Sequence, residues 1–109
     1  MAQATQLLKG ILQGCTLSIL SGGELYGYKI VERLKEYGFD DIHEATVYPI
    51  LTRLEKQGIL KYTKRPSELG PDRKYYSLTS AGERELSVFS GTWNSISSKV
   101  DKILKENSL

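Results

Sequence analysis

The sequence predicts a mainly α-helical fold with one small β-hairpin, on three observations. Apolar residues recur at three- and four-residue steps before Gly58 and again after Leu78, the period of helices with one buried face. Between those stretches the period falls to two, in residues 59–64 and 73–78, both rich in strand-favouring side chains. Finally, 109 residues suffice for one compact domain around a single core and leave no room for a second, catalytic one.

Taken in chain order, Leu7, Leu8, Ile11, Leu12, Cys15, Ile19 and Leu20 lay an apolar stripe along a first helix, despite Gly10 and Gly14. Ser21, Gly22 and Gly23 break it. A second, short helix is expected to start near Tyr26, carry Ile30, Val31 and Leu34 inward and stop at Gly38. After Asp40 and Asp41, a third places Val47, Ile50, Leu51 and Leu54 on one face and Thr52, Arg53, Glu55 and Lys56 outside, with Gly58 as its stop. Thr46 as N-cap would put Pro49 in the first turn, where a missing N–H breaks no helical bond. The two alternating stretches then form a hairpin whose long tip, residues 66–72, is rich in turn residues, with basic side chains at its neck. Thr79 or Ser80 caps the last helix, and Ser80 to Glu83 match a capping box.

That last helix carries Leu86, Phe89, Trp93, Ile96, Val100 and Ile103 at alternating steps of three and four, the seam of a helix packed on another helix. The earlier elements already supply a small core, so the simplest partner is the same helix of a second chain. The alternative is that it folds back on its own domain. Residues 1–79 are read as the binding unit and 80–109 as a dimerisation helix of one compact domain.

Composition excludes several classes. With 39% hydrophobic and 26% charged residues, the chain is neither disordered nor membrane-spanning. One cysteine, Cys15, permits no internal disulfide or thiolate zinc cluster and fits a reducing compartment. Residues 1–9 lack the basic-then-apolar order of a signal peptide, so a cytoplasmic protein is expected. The net charge is only +2, yet residues 52–76 hold seven Lys/Arg against three acids, leaving the remainder net negative. Such a concentration is the electrostatic footprint of a phosphate-facing surface.

Catalysis finds no support: there is no phosphate-binding glycine loop and no set of nucleophile, base and orienter. His43 is the lone histidine and reads as a loop residue; Cys15 reads as a small apolar side chain. No metal or cofactor is expected. The stronger constellation is helix, short connection, helix and basic hairpin, a winged helix-turn-helix in which the third helix enters the major groove of DNA. Thr46, Tyr48, Thr52 and Arg53 would face phosphates or base edges; Arg53 could instead pair with Glu55, Glu44 or another acid. Lys64, Arg65, Arg73 and Lys74 flank the hairpin tip, where they could neutralise phosphates. Because fold alone does not decide function, a module that meets an acidic protein through the same hairpin is the alternative.

The stretches Tyr26-Gly27-Tyr28, Ala45 to Leu51, Arg53-Leu54-Glu55, Gly58-Ile59-Leu60, Gly70 to Tyr76 and Leu78 to Gly82 together resemble the ordered signature of PadR-family regulators, over roughly Leu7 to Leu104. The resemblance implies a winged-helix domain with a C-terminal dimerisation helix and autonomous repression of a neighbouring operon; a homodimer would place two recognition helices about one DNA turn apart, so the double-stranded DNA operator should be an inverted repeat. It implies Tyr26, Tyr28, Thr46, Tyr48 and Arg53 at or near DNA, and Tyr75 and Tyr76 setting a wing strand. The short C-terminal part is similar to the family's small drug-sensing branch, in which an aromatic residue from each subunit sandwiches a planar inducer. Trp93 would take that place, with Phe89, Cys15 and Leu8 nearby; Trp93 as plain dimer core is the alternative. Gly91, Thr92 and Ser97 depart from the drug-sensor pattern.

Overall fold

A computed structural model describes residues 7–8 and 10–108; most of the N-terminal stretch read above for targeting signals lies outside the described residues. The elements are α1 (Leu12–Leu20), β1 (Leu25–Tyr26), α2 (Gly27–Glu36), α3 (Glu44–Lys56), β2 (Leu60–Ser67), β3 (Gly70–Leu78) and α4 (Ser80–Glu106). This is a winged helix-turn-helix, mainly α-helical with a small antiparallel sheet. Ile30, Val31 and Leu34 from α2 and Val47, Leu51 and Leu54 from α3 meet Leu12, Leu17 and Leu20 of α1 in one core, closed by Ile42, Ile59, Leu60 and Tyr76. The apolar periodicity thus bought one shared interior. Thr16 is fully buried within it, and its hydroxyl donates to the Leu12 carbonyl at 3.0 Å, which removes the cost of an unpaired polar group.

At two helix starts local chemistry decides, once against expectation and once between two expected caps. The third helix begins at Glu44 after an extended His43 with no side-chain cap, so Pro49 falls in the second turn and not the first. There its ring nitrogen leaves the Ala45 carbonyl without the usual i−4 partner. The last helix is capped by Thr79, whose Oγ1 accepts from the Gly82 N–H at 3.0 Å, one residue ahead of the Ser80–Glu83 box. The same hydroxyl lies 2.7 Å from the Gly58 carbonyl oxygen, to which it can donate, and a Cβ at Gly82 would collide with the Ile59 carbonyl. Cap and glycine together seat α4 directly on the α3–β2 corner.

The hairpin is also longer and tighter than expected. Strands β2 and β3 pair from Leu60 with Leu78 out to Ser67 with Gly70, with an irregularity at Pro66, so the seven-residue tip shrinks to Glu68 and Leu69. Proline is tolerated because β2 is an edge strand in the order β1-β3-β2. The third strand, β1, pairs Leu25 with Tyr76 and Tyr26 with Tyr75; two residues are too few to leave a period in sequence. Helix α4 projects beyond this body. The radius of gyration, 15.8 Å, exceeds the roughly 13 Å of a compact chain of this length, and 27 helical residues span about 40 Å.

Candidate nucleic-acid interface

The third helix owes its two faces to its spacing. Val47, Leu51 and Leu54 are buried and hold it to the core, which leaves Thr46, Tyr48, Thr52 and Arg53 exposed together. Tyr48 reaches back over the start of α2: a Cβ at Gly27 would lie 2.7 Å from its ring, so only glycine in the Tyr26-Gly27-Tyr28 motif admits that approach. Burial, reinforced by Glu44 and Tyr26, raises the Tyr48 pKa above its ordinary value. The hydroxyl therefore stays a neutral donor in the physiological range.

Across from this face stands the wing. The register places Lys64 opposite Lys74 and Arg65 opposite Arg73, like-charge pairs that destabilise a sheet unless the charges are answered elsewhere. Three are. The Arg73 guanidinium lies 4.3 Å from the Tyr26 ring centroid, that of Arg65 lies 4.9 Å from Tyr75, and the Lys74 ammonium lies 4.3 Å from Tyr62, each within cation–π range. Arg65 also pairs with Glu24, and Lys74 approaches Glu55 of α3 at 3.7 Å. Tyr26 stacks on exposed Tyr28 and packs against Tyr75, so aromatic rings carry the cations along both faces of the wing.

These groups converge only in part. Tyr26, Tyr48, Thr52, Arg73 and Lys74 line one cleft of about 660 Å³ between α3, the start of α2 and the wing. Thr52 and Arg53 share a shallower surface with Tyr48 and Lys56 further along α3. Tyr28, Thr46, Lys64 and Arg65 are exposed around this region and are not among the cleft's lining residues. Arg53 pairs with neither Glu44 nor Glu55; its Nη2 donates to the Gln13 side-chain oxygen at 2.8 Å. Gln13 and Glu24 were missed by sequence reasoning, and Glu55, weighed there as a partner of Arg53, approaches Lys74 instead. Gln13 and Glu24 lie some 40 positions from the cations they hold, and no periodicity encodes such a meeting.

The seam of α4 divides in two. Leu86 packs on the core, and Phe89 lies against Gly14 of α1, where a Cβ would overlap the ring. Beyond them Trp93, Ile96, Val100 and Ile103 are 44%, 50%, 46% and 61% exposed. Of the residues grouped with Trp93, Leu8 is half-buried against the core. Cys15 lines a separate groove of about 580 Å³ with Ile19, Arg33 and Tyr37, and Trp93 is not part of its wall. Burial raises the Cys15 thiol pKa. Among the described residues no helix is long and apolar enough to cross a membrane.

The Transcriptional regulator PadR-like family matches residues 16–88. A Streptococcus transcriptional regulator of known structure is 49% identical, covers 90% of this chain and 96% of its own, and superposes with a TM-score of 0.81. A PadR-like transcriptional regulator from Bacillus cereus strain ATCC 14579 is 40% identical over 91% of this chain and 96% of its own, with a TM-score of 0.82. The negative transcriptional regulator PadR of Bacillus subtilis (strain 168) is 31% identical over 78 residues, which are 70% of this chain but 43% of that protein. Its crystal structure in complex with operator DNA aligns at 28% identity and a TM-score of 0.68, over 75% of this chain and 47% of that one.

Proposed function

The chain belongs to the PadR-like family of transcriptional regulators, and on that premise we propose that it is a cytoplasmic, sequence-specific DNA-binding repressor acting as a homodimer. The observation that carries this reading is the continuity between the exposed face of α3 and the cationic wing, joined by the cleft that Tyr26, Tyr48, Thr52, Arg73 and Lys74 line. Thr46, Tyr48, Thr52 and Arg53 read the major groove, while Tyr26, Tyr28, Lys64, Arg65, Arg73 and Lys74 bind the flanking backbone. The acids beside Arg65 and Lys74 do not oppose this. Both pairs lie half-exposed at the surface, surface pairs are typically worth at most about 1 kcal/mol, and a phosphate can replace either carboxylate. The operator complex of the Bacillus subtilis relative supports DNA as the partner.

Residues 1–79 form the reading unit, and residues 80–109 join two copies through Trp93, Ile96, Val100 and Ile103, with Leu86 and Phe89 bracing the helix from within its own chain. The pair presents two α3 helices about one DNA turn apart to an inverted repeat. A planar aromatic inducer is held between the two Trp93 rings near Phe89, and the operon it relieves is a multidrug or stress-response one. The inducer changes the angle between the wings and releases the operator.

The test is titration of the chain into DNA from just upstream of its own gene against a shuffled fragment, at about physiological salt. Tight binding to the upstream fragment alone, with two chains per site, is the expected result. Equal, weak binding to both fragments would overturn the reading and leave an acidic protein as the partner of the wing.

A further inference from the structure

We propose that Gln13 is a positioning residue for Arg53, and that the step from Gln13 to Gly14 ties the placement of α4 to the recognition helix. The inference rests on the DNA reading above. Successive residues on a helix point about 100° apart, so two neighbours on α1 can face two different elements. Gln13 faces α3, where its side-chain oxygen accepts from Arg53 Nη2 at 2.8 Å. Among the described residues Arg53 makes no ion pair, and this neutral bond is what restrains an otherwise exposed guanidinium.

Gly14 faces α4. It is buried, and the Phe89 ring occupies the space where its side chain would be. Packed interiors yield little, so a tilt of α4 at Phe89 must move α1 or expel the ring. One turn beyond Phe89, on the same face, is Trp93, the first of the exposed seam residues. A change in how two α4 helices pack therefore acts close to Phe89, passes to Gly14, and reaches Arg53 through the adjoining Gln13. The link needs no ligand contact with α3.

The test uses the full chain with its upstream and shuffled DNA fragments, together with the Arg53 side-chain Nε–Hε signal in NMR recorded without DNA. Gln13→Ala keeps every charge. It is expected to lower the order of that signal and to cut the preference for the upstream fragment about three- to tenfold, with an unchanged salt slope. Phe89→Leu keeps an apolar side chain while unloading Gly14, and it is expected to shift the Arg53 signal too. An Arg53 signal indifferent to both substitutions overturns the proposal and leaves the DNA reading standing. So does a Gln13→Ala variant that keeps its full preference for upstream DNA. A parent protein without that preference overturns the DNA reading itself, and the role given to Arg53 falls with it.

Discussion

At the scale of single residues, the wing owes its form to a conflict between charge and register. Arg65 opposite Arg73 and Lys64 opposite Lys74 repel each other, and Tyr26, Tyr62 and Tyr75 answer that repulsion without cancelling the charge. Arg73→Ala should therefore weaken DNA binding by a similar factor on every sequence and flatten the salt slope by about one, as titrations at several salt concentrations would register. A second expectation concerns alkaline pH. Burial raises the pKa of Cys15 and, with smaller contributions from neighbouring charges, of Tyr48 and Tyr76 above the ordinary values of 9.0, 10.0 and 10.0. The unfolded chain then releases these protons first as pH rises. Stability is complete below about pH 9 and falls as pH climbs through the raised pKa values. Urea midpoints from pH 7 to 11 should follow that course, and Cys15→Ser should delay its onset.

At the scale of elements, short-range chemistry decides where helices begin. Thr79, not Ser80, caps α4 because its hydroxyl reaches the Gly82 N–H and the Gly58 carbonyl at once. Thr79→Ala should cost about 1–2 kcal/mol in urea denaturation, whereas Ser80→Ala at an exposed position should stay within about 0.5 kcal/mol. The amphipathic periods of α2 and α3 were legible in the sequence since burial recurs with the turn of the helix. The two-residue β1 and the closing of residues 66–72 into paired strands were not. Both depend on β3 lying alongside, a partner that local pattern does not name.

For the whole molecule, the question is what the exposed half of α4 is for. Four large apolar side chains between Trp93 and Ile103 stand in solvent on a helix that extends past the core, an arrangement that favours self-association over isolation. Ile96→Asp should sediment as a monomer and keep its helical content. Each copy would then hold a single half-site, and operator affinity should drop at least about a hundredfold, because the second contact no longer comes at high effective concentration. Unchanged affinity in a monomeric variant would sever dimerisation from operator binding.

The sequence by itself determined the winged helix-turn-helix, the faces of its helices and the concentration of cations at the hairpin, since each follows from periodicity or composition along the chain. It also carried the motif through which Gly27 admits Tyr48. What only the tertiary structure decided is who holds whom: Gln13 on Arg53, Glu24 on Arg65, Phe89 on Gly14. These contacts join positions far apart in sequence, and a side chain's neighbours across such a distance are set by the packing of whole elements, which no local spacing records.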